Sequence, residues 1–317
     1  MRAPRRQSRR NRGETETARA PRHRQATSRA REKAPAGLIF LVAAVAIAAI
    51  AIIPETGPRS SGPSRAPRDA TPLPRGADGT RDEPPGGRVP LEVVEIGRDE
   101  RAARIVRPAG ATAPLPGVIF LHGWGLVGRA AYRPWIRHLA RAGNQVIVPR
   151  YQRDASSNPA RALSDALAGV RAALRTAPIA PRSLVVAGHS AGGALAADYA
   201  ASSSRSDLAP PEAIYSVYPG RLIRGYPAGI PQIDPGRIAP ETRLVAMAGS
   251  ADTLVGQAPA QQLVVDSRAI PEAHKKYVLI TRPEVADHYG PSRATGAARR
   301  VLWRPLDRLI RQVRLTG

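Results

Sequence analysis

Short apolar runs alternate with amphipathic segments along residues 91–317, and this alternation predicts the fold. The runs "PGVIFLHG", "NQVIVP" and "RSLVVAG" are apolar over most of their length, which is typical of strands buried on both faces. Between them, "RAAYRPWIRHLARAG" and "NPARALSDALAGVRAALRTAP" carry apolar residues at helical spacing. Such alternation predicts an α/β fold, in which helices cover both faces of a mostly parallel sheet.

The remaining segments extend the same pattern. "LEVVEIG" and "ARIVRP" read as two strands joined by the polar turn "RDER", and "EAIYSVYP", "TRLVAMAG" and "KKYVLIT" read as further strands. "PAQQLVVDSRAI" and the C-terminal "RATGAARRVLWRPLDRLIRQV" read as helices. Because proline cannot donate the hydrogen bond that a helix interior needs, we expect the last helix to bend or break near Pro305.

Residues 36–53 have a different pattern, since "AGLIFLVAAVAIAAIAII" is apolar on every helical face. A helix of this length spans about 27 Å, close to the hydrocarbon thickness of a bilayer. We interpret the segment as an uncleaved transmembrane signal anchor. A cleaved signal peptide is the alternative, although "IIPETG" lacks the small residues of a cleavage site.

The flanks of this segment predict its orientation. Residues 1–35 carry 12 basic and three acidic residues with few large apolar ones, so we expect a disordered basic tail. Residues 54–90 are dense in Pro, Gly and Ser, as in an extended linker. Because basic flanks stay on the cytoplasmic side, the chain is expected to cross the cell membrane once, with its N-terminus in the cytoplasm and residues 91–317 outside.

The charge of the whole chain is strongly positive. Its formal net charge is +23, almost entirely from arginine, which suggests either nucleic acid or an anionic membrane surface as a partner. Arg, Ala, Pro and Gly are all abundant together, so we attribute the excess to compositional bias and expect no specific nucleic-acid partner. The absence of cysteine excludes disulfides, thiolate catalysis and cysteine-bound zinc.

The strongest chemical signal is "GHSAGG", which begins at Gly188 directly after a buried strand and opens a helix. This is the G-x-S-x-G pattern of a nucleophile elbow in its strand–turn–helix context. Ser190 would stand at the carboxyl edge of the sheet, where the helix N-terminus favours a developing anion. An incidental serine in a glycine-rich βα turn is the alternative, and the partners of Ser190 decide between them.

A serine nucleophile needs a base, and the base needs an acid to orient it. Asp252 follows the strand "TRLVAMAG", and His288 follows the strand "KKYVLIT". The carboxyl ends of parallel strands meet at one edge of a sheet, so both side chains are expected beside Ser190. Asp287 is the competing acid, but it is adjacent to His288 in the chain.

The loop "HGWG" after the first parallel strand predicts the rest of the site. We expect the oxyanion hole to consist of the backbone N–H groups of Trp124 and Ala191. His122 is expected to orient this loop by hydrogen bonds. Trp124, Tyr151 and Gln152 are predicted to bind substrate, because they follow strands at the same edge.

In "HGWG", "GHSAGG", "GSAD" and "DHYG", residues 91–317 resemble the α/β-hydrolase superfamily. This resemblance implies a mostly parallel eight-stranded sheet and hydrolysis of an ester or amide through an acyl-enzyme. It calls for no cofactor or metal. Residues 220–240 stand where members of the family insert a lid, but they are few, so we expect an open, shallow and partly polar cleft.

The sequence therefore predicts a membrane-anchored serine hydrolase, most consistent with a carboxylesterase acting on a small-molecule or lipid-like ester. A peptidase or amidase using the same three residues is one alternative. A catalytically silent, hydrolase-like binding module is another, and the intact set of Ser190, Asp252 and His288 argues against it.

Overall fold

The computed structural model describes residues 89–125, 130–154 and 156–316. The predicted tail, the predicted anchor and all but the last two residues of the predicted linker lie outside the described residues. In the part of the chain that is described, no helix is both long enough and apolar enough to cross a bilayer.

Eight strands form one sheet, in the order β1-β2-β4-β3-β5-β6-β7-β8. β2 is antiparallel to both β1 and β4, and every other neighbouring pair is parallel. The predicted mostly parallel sheet and its N-terminal hairpin are therefore confirmed. The strands are β1 Leu91–Ile96, β2 Ala103–Pro108, β3 Gly117–Leu121, β4 Gln145–Pro149, β5 Val185–His189, β6 Ala213–Val217, β7 Arg243–Gly249 and β8 Lys275–Ile280.

Helices follow the parallel strands, as the amphipathic segments predict. They are α1 Arg133–Arg141, α2 Ala162–Thr176, α3 Ala191–Ser202, α4 Ala258–Asp266, α5 Gly296–Ala298 and α6 Arg304–Thr316. A 3₁₀ turn leads into α2, and there the side chain of Asn158 accepts a hydrogen bond of 2.9 Å from the backbone N–H of Ala160. This side chain satisfies a donor that the start of the helical segment would otherwise leave unpaired.

Two hydrophobic cores lie on opposite faces of the sheet. One packs α2, α3 and α4 against alternate residues of the strands, such as Ile119 and Val186. The other packs α1 and the C-terminal helix against the intervening residues, such as Phe120 and Ala187. Because both faces of the central strands are covered, β3, β4, β5 and β6 are buried along their whole length, which explains their continuous apolar sequences.

The interruption predicted near Pro305 takes the form of a π-helical turn. Residues Arg299–Trp303 make this turn between α5 and α6. Pro305 cannot donate to the carbonyl four residues earlier, and a π-helical turn is one way for a helix to accommodate such a position. Trp303 at the end of this turn stacks on Trp135 of α1, with ring centroids 5.8 Å apart, so the C-terminal helix is held against α1.

Candidate active site

A single residue connects β5 to α3. β5 ends at His189 and α3 begins at Ala191, so Ser190 alone makes the turn, with φ 58° and ψ −123°. This conformation is costly for a residue with a side chain and persists only where the surroundings impose it. A Cβ on Gly188 would overlap the backbone of Gly192, and a Cβ on Gly192 would overlap the backbone of Leu121. Glycine is therefore required at both positions.

Three side chains predicted to act together are in contact at the carboxyl edge of the sheet. Ser190 Oγ lies 2.9 Å from His288 Nε2, and His288 Nδ1 lies 2.8 Å from Asp252 Oδ2. The side chain of Asp252 is fully buried, and that of His288 nearly so. The order and geometry are those of a nucleophile, a base and an acid that orients the base.

The second carboxylate oxygen of Asp252 and the environment of Asp287 distinguish the two candidate acids. Asp252 Oδ1 accepts hydrogen bonds from the backbone N–H groups of Leu254 and Val255, both 3.0 Å long, so the carboxylate is fixed at both oxygens. Asp287 instead forms an exposed ion pair of 2.7 Å with Arg293. Although desolvation opposes it, hydrogen bonding to Arg293 lowers the pKa of Asp287.

Two backbone N–H groups are available for an oxyanion. Ala191 is the first residue of α3, and the first N–H groups of a helix have no partner within the helix. On the loop after β3, Gly123 N–H donates to the Tyr132 hydroxyl and Gly125 N–H donates to Gln152 Oε1. The N–H of Trp124 lies between these two and has no acceptor among the described residues.

A buried hydrogen-bond chain that sequence patterns did not predict connects this loop to the His288 loop. His189 Nδ1 lies 2.6 Å from the Tyr132 hydroxyl, and His189 Nε2 lies 2.8 Å from the backbone oxygen of His288. Since a carbonyl only accepts, Nε2 carries the proton and Nδ1 accepts from Tyr132. The chain therefore runs in one direction, from Gly123 N–H through Tyr132 and His189 to the carbonyl of His288.

The burial of His189 keeps this chain in one protonation state. Desolvation, followed by the nearby His288, lowers the pKa of His189 to about 3. The imidazole is consequently neutral at physiological pH and retains one donor and one acceptor nitrogen. Tyr132 is equally buried, and burial raises the pKa of its hydroxyl, so it remains a hydrogen-bond donor.

Comparisons with known proteins agree with this architecture. A family model described as the alpha/beta hydrolase fold matches residues 118–253. An esterase from the fungus Rhizomucor miehei superimposes with a TM-score of 0.56 at 18% identity, over 72% of this chain and 84% of that chain. The chain has the α/β-hydrolase fold.

Two further esterases share this α/β-hydrolase fold. Est2 of the planctomycete Thermogutta terrifontis matches with a TM-score of 0.53 at 17% identity, over 72% of this chain and 93% of that chain. Esterase B of Lactobacillus rhamnosis, inhibited by a tributyrin phosphonate, matches with a TM-score of 0.53 at 15% identity, over 70% of this chain and 87% of that chain. A search of curated protein sequences gives no match.

The cavity beside Ser190 has a volume of about 790 Å³. Ser190 and His288 lie in its wall, and its lining is mainly apolar, including Trp124, Ile223 and Leu254. Arg221, Arg224 and Gln152 also line the cavity, so the expectation of a partly polar cleft is confirmed. Residues 220–226 supply much of the apolar part of this lining.

An ion pair fixes that part of the wall to the elbow helix. Arg221 donates to both carboxylate oxygens of Asp198, at 2.8 and 2.9 Å, and Asp198 also accepts from the backbone N–H of Ile233. Asp198 on α3 is completely buried, and desolvation raises its pKa although Arg221 opposes this. The segment is thus held over the cavity by a charge pair whose two partners depend on each other.

The predicted substrate-binding residues divide into two groups. Trp124 and Gln152 line the cavity, and Gln152 also holds the N–H of Gly125. The prediction for Tyr151 was wrong: it is buried and lies outside the cavity wall. Its positive φ of 33° turns the side chain inward, where its ring stacks on His122 at 4.2 Å and its hydroxyl donates to the backbone oxygen of His122.

His122 contacts the backbone of the loop it was expected to orient. Its Nδ1 lies 3.0 Å from the carbonyl oxygen of Gly123, and its Nε2 lies 2.7 Å from that of Arg150. With Tyr151 stacked against it, His122 supports the β3 and β4 loops from below the cavity.

Tyr132→Phe should lower kcat about tenfold with little change in KM, because Gly123 N–H and His189 Nδ1 each lose a partner and the Trp124 and His288 loops lose their connection. An unsatisfied buried polar group costs about 1–3 kcal/mol, so stability should also fall. The matched control is Tyr215→Phe, whose buried hydroxyl donates to the Leu302 carbonyl at 2.8 Å. Thermal unfolding should show a loss of stability in both variants, and steady-state kinetics should show a loss of kcat only for Tyr132→Phe. If the two variants had equal kcat values, the hydrogen-bond chain through Tyr132 and His189 would have a purely structural role.

Proposed function

We propose that this protein is a membrane-anchored serine hydrolase that cleaves carboxylic esters through an acyl-enzyme intermediate. The observation that supports it most strongly is the unbroken hydrogen-bonded series Ser190, His288 and Asp252, which opens onto a largely apolar cavity. Esterase folds among the structural neighbours support the same reaction class.

In the acylation step, Ser190 Oγ attacks the acyl carbon of the ester as His288 Nε2 removes its proton. The negative charge that develops on the carbonyl oxygen is stabilised by the N–H groups of Trp124 and Ala191. Asp252 accepts from His288 Nδ1 and stabilises the imidazolium, and it remains ionised throughout. His288 then gives its proton to the departing alkoxide, which leaves as an alcohol.

In the deacylation step, water takes the place of the alcohol. His288 Nε2 accepts a proton from water as the oxygen attacks the acyl carbon, and the same two N–H groups stabilise the second tetrahedral intermediate. The intermediate collapses with release of the carboxylic acid, and the proton held by His288 returns to Ser190. The proton transfers use only Ser190, His288 and Asp252, which already lie within hydrogen-bonding distance of one another.

The substrate is proposed to be a small-molecule or lipid-like ester rather than an amide. The mainly apolar wall favours the burial of acyl carbon atoms, each CH₂ contributing about 0.8 kcal/mol. One neighbour, esterase B, was crystallised with a tributyrin phosphonate, which is consistent with an acyl-glycerol type of substrate here. A silent binding module would have no need of a strained serine that is hydrogen-bonded to a histidine.

Ser190→Ala should abolish both labelling by a fluorophosphonate and ester hydrolysis, with a rate loss of at least about 10³-fold, because the three residues act as a unit. Ser267→Ala provides a matched control, since Ser267 is also buried and donates to the Leu263 carbonyl at 2.7 Å. The control should retain labelling and activity. Labelling of Ser190→Ala at the wild-type rate would place the nucleophile elsewhere.

Asp252→Asn should lower kcat by about 10³–10⁴-fold, because an amide in place of the carboxylate favours the wrong tautomer of His288. Asp287→Asn is the control, since it removes an exposed ion pair with Arg293 and exposed pairs contribute little. The steady-state rate of hydrolysis of one ester by both variants shows which of the two carboxylates orients His288. Near-wild-type activity in Asp252→Asn together with loss in Asp287→Asn would reverse the assignment.

The location is also a proposal: residues 36–53 anchor the chain with residues 1–35 in the cytoplasm and the hydrolase domain outside. Protease added to intact spheroplasts should cut within residues 54–90 and release the hydrolase domain, because such Pro/Gly-rich linkers are accessible. Spheroplasts lysed before digestion serve as the control. Recovery of full-length protein from intact spheroplasts, with cleavage only after lysis, would mean the opposite orientation.

A further inference from the structure

Charge is distributed very unequally between the two faces of the sheet. The helices α2, α3 and α4 on one face contain two arginines and three aspartates. On the other face, α1 and residues 296–316 contain nine arginines and a single carboxylate, that of Asp307. The surface formed by these nine arginines is called the arginine face below.

Four of these arginines form a stripe along one side of the C-terminal helix. Arg300, Arg304, Arg308 and Arg311 recur every three or four residues and are all exposed, so their side chains lie on one side. Arg133 and Arg137 are exposed on the neighbouring helix α1. Both helices therefore present exposed arginines, and they are packed together through Trp135 and Trp303.

Almost no carboxylate on the arginine face neutralises the charge of its arginines. Its one carboxylate, Asp307, is engaged by His138 Nε2 at 2.9 Å. None of the nine arginines forms an ion pair with a carboxylate of the described residues. Positive charges held close together without counter-charges repel one another, and an anionic partner would relieve that repulsion.

This asymmetry bears on the interpretation of arginine content as compositional bias. A bias in composition would place arginine on the exposed positions of both faces alike, whereas α2 and α4 together carry only two arginines. Among the helices, positive charge is therefore concentrated on one face, while 20 further basic residues of the described chain lie in other helices, strands and loops.

The start of the described domain lies beside this surface. Leu91 of β1 packs with the core on the α1 side of the sheet, and it lines a small groove together with Arg133 and Arg137. The chain that precedes residue 91 therefore joins the domain next to the arginine face. At the other end of the surface, Leu315 of α6 is 86% exposed.

We propose that the arginine face docks on the anionic lipid headgroups of the membrane in which the chain is anchored, which rests on the anchor proposed above. Basic helices with an exposed apolar residue bind anionic lipid surfaces. A flexible linker that joins the domain beside the arginine face allows that face to reach the bilayer, and the attraction between arginine and anionic headgroups would orient it. Single-stranded nucleic acid is less suited, because the aromatic residues of these helices, Trp135 and Trp303, are buried and offer no surface for stacking bases.

The test uses the full chain in nanodiscs of either neutral phosphatidylcholine or a mixture with anionic phosphatidylglycerol. The chain has no cysteine, so Gln312→Cys on α6 and Gln261→Cys on α4 can each carry a single fluorophore, and both positions are exposed. Quenching by a headgroup-labelled lipid reports the distance to the bilayer. Quenching at position 312 should exceed that at position 261 in anionic nanodiscs and should fall in neutral ones or near 1 M salt, where the Debye length is about 3 Å.

The decisive variant replaces Arg300, Arg304, Arg308 and Arg311 with Gln. It spares Arg299, which stacks on Trp303 at 4.5 Å, and Arg314, which is hydrogen-bonded to Asn144. Each basic residue changes the affinity for an anionic surface about fivefold, so docking should weaken by roughly several hundred-fold. The matched control replaces four exposed basic residues outside the arginine face, Arg175, Arg182, Arg205 and Lys276, and should dock like the unchanged chain.

The outcomes separate this inference from the proposals on which it rests. Co-elution with nanodiscs tests the anchor, and hydrolysis of a soluble ester, expected to be equal in both four-residue variants, tests the hydrolase. If co-elution with nanodiscs and ester hydrolysis are both as expected, two results would overturn the docking proposal. One is equal quenching at positions 312 and 261, and the other is quenching that persists after the four arginines are replaced. Binding of duplex DNA that depends on the same four arginines, without any effect of lipid charge, would assign the surface to nucleic acid instead.

Discussion

The close approach of α3 to the strands β3 and β5 is the constraint on which the site depends. Gly188 and Gly192 allow the backbones to come so near that no Cβ would fit at either position, and the chain must then turn at Ser190 alone. The strained conformation of Ser190 is thereby imposed by packing, and the serine is presented above the edge of the sheet beside unpaired N–H groups. A looser contact would leave the serine free to relax into an ordinary helical start.

Buried hydrogen bonds then give the loops around Ser190 one arrangement. Tyr132 and His189 connect the loop of Trp124 with the backbone of His288, and Gln152 fixes the next N–H of that loop. These groups are buried, so a broken bond would leave an unsatisfied polar atom, and alternatives to this arrangement are costly. The site is therefore organised before a substrate binds, as stabilisation of a developing oxyanion requires.

Residues whose position follows from strand order could be predicted from the sequence, and residues whose role depends on side-chain direction could not. Ser190, Asp252 and His288 follow the parallel strands β5, β7 and β8, whose carboxyl ends share one edge of the sheet. Tyr151 also follows a strand, but a positive φ turns it inward. The hydrogen bond between Tyr132 and His189 joins residues 57 positions apart, and no local sequence pattern reveals it. No local pattern reveals either that nine arginines of α1 and the C-terminal helix lie on one face of the sheet.

The most direct test of the central claim, that the turn at Ser190 creates an oxyanion hole, is a crystal structure of the enzyme after reaction with an alkyl phosphonate ester. The account predicts a covalent bond from phosphorus to Ser190 Oγ and a phosphonyl oxygen about 2.7–3.1 Å from both the Trp124 and Ala191 nitrogens. An adduct on any other residue would contradict the account. So would an adduct on Ser190 whose phosphonyl oxygen points to solvent, away from both N–H groups.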